Sequence, residues 1–104
     1  MSRYGNKVAF ILHYHPDVKS EDLPLLDSKA KQRIRRAIED RLMSAPHHYG
    51  EPLRKTLKGY WKLRVGDYRV VFRIEGMEIL VLGICHRKNI YKKITTRLPA
   101  SLDK

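Results

Sequence analysis

The stretch YWKLRVGDYRVVF, residues 60–72, predicts a β-hairpin. Its centre, Gly66-Asp67, lies between two runs of alternating apolar and basic residues, and a two-residue loop that begins with glycine is typical of a type II′ turn. This turn fixes the pairing, so that Arg64 faces Arg69. Because side chains alternate along a strand, the hairpin has one apolar and one basic face. The apolar face, predicted to be core, holds Trp61, Leu63, Val65, Tyr68, Val70 and Phe72; the basic face holds Lys62, Arg64, Arg69 and Arg73.

The basic face of the hairpin breaks a local rule of sheet stability. Arg64 and Arg69 are directly opposed and Lys62 is diagonal to them, whereas like charges opposed across strands are destabilising. Such violations are commoner at functional sites than elsewhere. A bound polyanion would relieve the repulsion. The alternative is that the long side chains spread into water at little cost.

A third strand, residues 78–86, is predicted to extend the hairpin into a meander. The second turn is either Glu75-Gly76 or Gly76-Met77, and with both the even-numbered positions of the new strand share the face of Arg69. His86 is therefore expected on the basic face. The sequence HRKNIY, residues 86–91, adds further cations and a phenol at the end of the strand. We expect a single patch formed by Lys62, Arg64, Arg69, His86, Arg87 and Tyr91.

The first half of the chain predicts one strand and two helices. Residues 7–14 alternate as a strand does, and Pro16-Asp17 opens a short helix that Pro24 ends or kinks. Asp27 or Ser28 can cap a second helix, and its basic residues are interpreted as a solvated face. The apolar stripe of that helix is Ala30, Ile34, Ala37, Ile38 and Leu42. We predict an α+β fold: an N-terminal strand, a helical hairpin and a three-stranded antiparallel meander in one sheet, with helices on one face and much of the other face open.

Composition restricts the partners of this fold. The chain has 104 residues, enough for a single domain over residues 1–104, and its formal net charge of +11 attracts nucleic acid or an acidic protein. The apolar run at residues 8–12 is too short for a signal peptide or a membrane span. Cys85 is the only cysteine, which excludes an intrachain disulfide and indicates a reducing cytoplasm. Within an apolar strand, it is interpreted as buried and inert.

The predicted patch has the groups that RNA cleavage without a metal requires. The reaction needs a base for the 2′-hydroxyl, cations for the phosphorane, an acid for the 5′-oxygen and a plane that holds the bases apart. Arg69 and Arg87 suit the phosphate, because a guanidinium group donates bidentate hydrogen bonds and stays charged. His86 can act as base, since free histidine titrates near neutrality, and Tyr91 can stack on a base or donate a proton. The alternative for His86 is a hydrogen-bonded histidine at a strand end.

Metal chemistry finds little support in the sequence. No acidic residue accompanies the predicted patch, apart from Asp67 in the turn. The pair His13/His15 lacks further ligands at suitable spacing, and the pair His47/His48 lies in a loop flanked by prolines. We therefore expect neither a metal nor another cofactor.

The C-terminal half of the chain resembles a known family. Residues 57–72, LKGYWKLRVGDYRVVF, followed by HRKNIY at residues 86–91, are similar to the RelE/ParE toxin superfamily of bacterial and archaeal toxin–antitoxin systems. The helical hairpin, residues 17–43, agrees in placement. The resemblance implies the RelE-like α+β fold. It also implies a type II toxin that, as in the RelE branch, inhibits translation by cutting mRNA at the ribosomal A site without a metal.

The resemblance also implies roles for residues of the patch. Lys62 and Arg64 occupy the positions of two basic residues that contact RNA or serve as base, and Arg69 that of the arginine that stabilises the phosphate. Arg87 matches a C-terminal arginine, and Tyr91 the tyrosine that stacks on the substrate. Arg64 stands where RelE-type members often carry lysine, which shifts the role of base to Lys62 or His86, because arginine is a poor base. Four further residues are expected to bind RNA: Arg54, Lys55, Lys58 and Lys88.

The resemblance implies two partners and leaves two alternatives open. The partners are mRNA on the ribosome and an acidic antitoxin of the RelB type, which would cover the patch or displace residues 92–104. The first alternative is a ParE-like gyrase poison, which binds rather than cuts, although such members generally lack the full set of basic residues present here. The second is a non-enzymatic nucleic-acid-binding module, for which the charge alone would suffice.

Overall fold

A five-stranded sheet in the order β1-β5-β4-β3-β2 forms the centre of the protein. The computed structural model describes residues 10–98, apart from the side chain of Thr56. The strands are β1 (Ile11–Tyr14), β2 (Glu51–Pro52), β3 (Trp61–Val65), β4 (Tyr68–Glu75) and β5 (Glu78–His86). β1 runs parallel to β5, and all other neighbours are antiparallel. The predicted α+β class and meander are confirmed; β2 was not predicted, and residues 7–9 of the predicted first strand lie outside the described residues.

The hairpin between β3 and β4 has the predicted register. Arg64 is opposite Arg69. Gly66 adopts a φ of +62°, the left-handed value that a type II′ turn requires at its first position. In the next hairpin Glu75 pairs with Glu78, so that its two-residue turn is Gly76-Met77, one of the two alternatives that the sequence allowed.

A bulge in β5 reverses the predicted placement of His86. Leu82 has no partner in β4, whereas the residues on both sides of it are paired. Beyond this extra residue the side chains change faces, so that Cys85 lies opposite Arg69, and His86 lies opposite Tyr68. The prediction that His86 shares a face with Arg69 is therefore wrong. It assumed an uninterrupted ladder between the two strands.

The first face of the sheet packs against the helical hairpin. A helical segment, Val18–Asp22 and Leu23–Leu25, leads to α1 (Ser28–Ala37), which continues as a π-helical turn over Ile38–Leu42. Asp27 caps α1, because its Oδ1 accepts a hydrogen bond from the Ala30 N–H at 2.7 Å. The predicted stripe of α1 and the apolar face of the hairpin pack into one cluster, as expected.

The second face is not open, contrary to the prediction. A second buried cluster covers it, formed by the loop before β3 and by a C-terminal segment that the sequence analysis left unassigned. That segment consists of 3₁₀ turns at Arg87–Asn89 and Thr95–Arg97 with the helix α3 (Ile90–Ile94) between them; a short helix α2 (Pro46–Tyr49) precedes β2. The main members of the cluster are Leu53, Leu57, Tyr60, Val71, Leu80, Leu82, Cys85, Ile90 and Ile94.

A buried ion pair holds the C-terminal segment in place. Asp22 and Arg97 are 1% and 5% exposed and form two hydrogen bonds of 2.8 Å. Asp22 also accepts the N–H of Ile84 at 2.8 Å, and Arg97 donates to the carbonyl of Leu82 at 3.0 Å. β1 pairs with β5 only as far as Val81, so these side chains satisfy the edge of β5 where the neighbouring strand ends. No helix within residues 10–98 is long and apolar enough to cross a membrane.

Candidate functional site

Three arginines meet at the Gly66-Asp67 end of the sheet. Arg64 and Arg69 are opposite each other next to the turn. The N–H of Arg87 donates to the Asp67 carbonyl at 2.9 Å, which brings the end of β5 to the same turn. Arg64 and Arg87 are exposed, so their guanidinium groups can meet a ligand at the surface. The structure thus brings together three of the predicted site residues.

Arg69 has a different setting from the other two arginines. It is only 8% exposed, and its Nη1 donates hydrogen bonds to the carbonyls of Gly66 at 3.0 Å and Tyr68 at 2.9 Å. These bonds hold the guanidinium group against the turn. Arg69 therefore contributes a fixed positive charge beneath the surface and also helps to shape the hairpin.

Tyr91 lies exposed on the outer side of the C-terminal segment. Its neighbours Ile90 and Ile94 are 5% and 0% exposed, and they anchor α3 in the second cluster. This leaves the ring of Tyr91 45% exposed, four residues after Arg87. A large aromatic ring exposed at the surface is suited to stacking on an unpaired base.

Lys62 precedes Arg64 by two residues on β3, in the part of that strand that pairs with β2. Its Nζ lies 3.9 Å from Oε1 of Glu51, the residue that pairs with it across β2 and β3. The expectation that no acidic residue accompanies the patch is therefore wrong. Glu51 is distant in sequence from the hairpin, and only the short strand β2 brings it there.

His86 has the second of the two roles considered for it, that of a hydrogen-bonded histidine at a strand end. Its Nδ1 accepts a hydrogen bond from the N–H of Lys88 at 3.2 Å, which caps the 3₁₀ turn at Arg87–Asn89. Its ring also meets the edge of Tyr68 at 6.1 Å. Because a backbone N–H only donates, Nδ1 must be unprotonated in this arrangement. The ring thus lies away from the face of Arg69.

The cations predicted to bind RNA fall into two groups. Arg54, Lys55 and Lys58 are exposed in the loop before β3, at the end of the strand opposite the Gly66 turn. The buried side chains of Leu53 and Leu57 fix this loop on the second face. Lys88 is exposed in the 3₁₀ turn after β5. The basic residues therefore surround the second cluster rather than form one compact patch.

Cys85 and His13 lie outside the candidate site and have structural roles. Burial first, and the charge of Asp22 next, raise the pKa of the Cys85 thiol to about 11, and the residue is 3% exposed, which confirms that it is buried. His13 Nε2 lies 2.7 Å from Glu78 Oε1. Within residues 10–98, no three His, Cys, Asp or Glu side chains lie close enough to share a metal ion.

Two sets of residues in this region were missed by sequence reasoning. The exposed arginines Arg33 and Arg36 of α1 were interpreted as part of a solvated face, but they line a hollow together with Arg64. Their spacing of three residues was a signal, since it places both on one side of the helix. The pair Asp22 and Arg97 left no such signal, because 75 residues separate its members.

Known proteins with a similar sequence and structure identify the family. The model of the ParE toxin of type II toxin–antitoxin systems, parDE, matches residues 15–91. Toxin RelE of Mycobacterium tuberculosis is 32% identical over 75 residues, which cover 70% of this chain and 77% of that protein. Toxin RelG of the same organism is 37% identical over 54 residues, 50% of this chain; the match spans only 62% of RelG, less than two thirds of its length.

A solved structure agrees with these relatives. The toxin–antitoxin complex RelBE2 from Mycobacterium tuberculosis contains a chain that superposes with a TM-score of 0.71 at 26% identity; the match covers 77% of this chain and 100% of that chain. The RelE-like fold predicted from the hairpin is thereby confirmed. The chain belongs to the ParE toxin family of type II toxin–antitoxin systems, within the RelE/ParE superfamily that its hairpin resembles.

Proposed function

We propose that this toxin inhibits translation by cutting mRNA on the ribosome without a metal. The observation that carries the proposal is the meeting of Arg64, Arg69 and Arg87 at one turn, with the exposed ring of Tyr91 four residues further on. Guanidinium groups on three residues that meet at one turn can stabilise the negative charge that develops on a phosphorane. A purely structural surface would not need opposed arginines at a sheet end.

The residues suggest a division of labour in the reaction. The 2′-oxygen attacks the phosphorus while its proton passes to Lys62, whose ammonium group gives up one of its own protons to Glu51, and the bond to the 5′-oxygen breaks. Arg64 and Arg87 bind the phosphate oxygens, while Arg69 adds its fixed charge from below. Tyr91 stacks on a neighbouring base, and either its phenol or water donates the proton that the leaving 5′-oxygen takes up. The products would be a 2′,3′-cyclic phosphate and a 5′-hydroxyl end. His86 lies on the other face, so we leave it outside the proposed site.

The test is to incubate the purified toxin with translating ribosomes and to map the ends of the mRNA. We expect cuts in phase with codons. Arg87→Ala should reduce the rate by about 100-fold or more, the usual effect of removing one donor to a transition-state anion. Lys29→Ala, which removes an exposed charge from α1, is the matched control and should cut at the normal rate. An absence of cuts by the unmodified toxin would refute the proposal.

A gyrase poison is the second candidate, because the matching family model is that of ParE toxins. Such a toxin would leave mRNA intact and accumulate gyrase-linked breaks in plasmid DNA. Adding gyrase and plasmid to a parallel reaction separates the two activities. If neither mRNA cleavage nor gyrase-linked breaks are found, the remaining alternative is a module that only binds nucleic acid.

We propose an acidic antitoxin of the RelB type as the protein partner. The net charge of +11 favours an acidic protein, and the RelBE2 neighbour is a toxin–antitoxin complex. Such a partner would cover the arginines at the turn or displace the C-terminal segment. Ribosomal mRNA as the substrate would place the toxin in the cytoplasm.

A further inference from the structure

A hollow of about 190 Å³ lies between α1 and the edge of β3. Among residues 10–98, β2 pairs with β3 only at Trp61 and Lys62, so the edge of β3 near the turn has no neighbouring strand. The side chains of α1 close this side of the sheet instead. The charged residues that line the hollow are Arg33, Arg36, Arg41, Arg64 and Asp40.

The positive charges of the hollow are largely uncompensated. Within the described part of the chain, no carboxylate oxygen lies within 4.0 Å of the side-chain nitrogens of Arg33, Arg36 or Arg64. Arg41 lies over the ring of Tyr49 at 5.9 Å. Among the charged residues that line the hollow, four are arginines and one, Asp40, is acidic. Such an arrangement costs electrostatic free energy in the empty protein and is relieved when an anion binds.

The turn at Gly66 fixes one wall of the hollow. A methyl group on Gly66 would lie 2.8 Å from Nη1 of Arg33 and 3.1 Å from its Cζ, so the guanidinium group rests directly against the glycine. The carbonyl of the same glycine accepts a hydrogen bond from Arg69. One turn therefore positions an arginine of the hollow and an arginine of the proposed cleavage site.

We propose that this hollow binds a backbone phosphate of the RNA strand, adjacent to the phosphate that is cut. The identity of the strand rests on the proposed function. Guanidinium groups match phosphate oxygens with bidentate hydrogen bonds and are weakly hydrated, so a cluster of arginines binds phosphate well. Arg64 lines the hollow and also lies opposite Arg69, next to the turn that accepts the N–H of Arg87. A strand bound in the hollow would therefore continue directly into the proposed cleavage site. This continuity favours a nucleic-acid strand over an acidic peptide.

The test measures how the full chain binds a single-stranded RNA whose 2′-oxygens are all methylated, so that it cannot be cut. The double variant R33Q/R36Q removes two charges from the hollow. The matched control K29Q/R35Q removes two exposed charges from α1 outside it. We expect R33Q/R36Q to weaken binding about tenfold and to flatten the slope of log K against log salt by about 0.7, the value for one lost phosphate contact on a single strand. The control should keep the slope.

A second measurement uses the unaltered chain. Inorganic phosphate should shift the NMR signals of the Nε–H groups of Arg33, Arg36 and Arg64, and leave that of Arg35 in place. This readout does not depend on the folding of a variant. Equal shifts at Arg35 would mean that phosphate is attracted by the overall charge of the protein and does not bind at a specific site.

Three results would overturn the proposal. The first is equal loss of RNA affinity in R33Q/R36Q and in the control, and the second is a set of phosphate shifts that does not distinguish the hollow. The third is a variant that binds RNA normally but loses affinity for a glutamate-rich peptide, since the hollow would then serve an acidic protein. A toxin that cuts no mRNA but shows the expected binding differences would refute the proposed function alone. If the toxin cuts mRNA normally and R33Q/R36Q binds RNA as the unaltered chain does, only the proposed phosphate site in the hollow is refuted.

Discussion

The two faces of the sheet are closed by different kinds of structure. The first face lies under α1, whose apolar stripe follows a regular helical period. The second face lies under a loop and a short C-terminal segment, which α3 anchors with only two buried isoleucines. The three buried charged residues among residues 10–98, Asp22, Arg69 and Arg97, all contact the second face or the edge of β5 beside it. Both faces bury apolar side chains, but on the second face the buried pair of Asp22 and Arg97 also fixes the position of the segment that covers it.

The largest effect is expected from breaking the buried ion pair. Asp22→Asn leaves Arg97 buried with a weaker partner, and removing one member of such a pair typically costs about 3 to 5 kcal/mol. The free energy of unfolding in urea measures this loss. Glu21→Gln is the control, because Glu21 Oε1 lies 3.5 Å from the same arginine but its side chain is 60% exposed. That change should cost less than about 1 kcal/mol.

A small loss in Asp22→Asn would contradict the comparison between the faces. It would mean that the second cluster alone holds the C-terminal segment. The double change Asp22→Leu with Arg97→Met sharpens the test, since replacing both charges by apolar groups often restores stability. Restored stability together with a displaced segment would show that the pair determines position more than free energy.

The sequence predicts the first face well and the second face poorly, for a physical reason. Turn chemistry and strand alternation are local, so the register at Gly66 and the stripe of α1 can be read from neighbouring residues. The bulge at Leu82 interrupts a ladder that strand alternation alone treats as continuous, and the contact between Asp22 and Arg97 joins residues 75 positions apart. The misplacement of His86 follows directly from the bulge. The arginines at the turn were found because the hairpin alone positions two of them.

The next largest effect is expected from truncating one buried isoleucine under each face of the sheet. Ile34 of α1 is 2% exposed and Ile94 of α3 is 0% exposed. Truncating a buried isoleucine to alanine costs about 2 to 5 kcal/mol, but the affected region should differ. Ile34→Ala should lower the protection of amides throughout the sheet, because it weakens the main core.

Hydrogen exchange distinguishes the two isoleucine variants. Ile94→Ala should accelerate exchange mainly in the C-terminal segment, which can open while the first core stays intact. Equal acceleration across the sheet in both variants would show that the two clusters unfold as one unit. The ion pair would then be one contact among many in a single core.

A smaller effect is expected from acid. Burial alone would raise the pKa of Asp22, but hydrogen bonds from Arg97, the Ile84 N–H and Lys93 outweigh it and hold the pKa below its ordinary value. A carboxyl with a lowered pKa in the folded state stabilises the fold fully above its ordinary pKa. This contribution is lost as the pH falls through the lower folded value. The protein should therefore lose stability below about pH 4.

The variant Asp22→Asn is the control for the acid effect, because its amide does not titrate. The difference in unfolding free energy between the unaltered protein and this variant should be largest near neutral pH and should shrink as the pH falls. A difference that stays constant down to pH 2.5 would assign the acid loss to other carboxyl groups.

The smallest effect concerns Cys85, which lies under the C-terminal segment. With a pKa of about 11 in place of the ordinary 9.0, its thiolate fraction near neutrality is roughly 100-fold lower. The folded protein should therefore react very slowly with iodoacetamide, and the reaction should follow the opening of the segment. Asp22→Asn and Ile94→Ala should both speed the reaction, whereas Ile34→Ala should do so only as far as it raises the globally unfolded fraction. A reaction faster in Ile34→Ala than in Ile94→Ala, at equal loss of stability, would mean that the thiol is reached through the main core, and the second face would then be the tighter of the two.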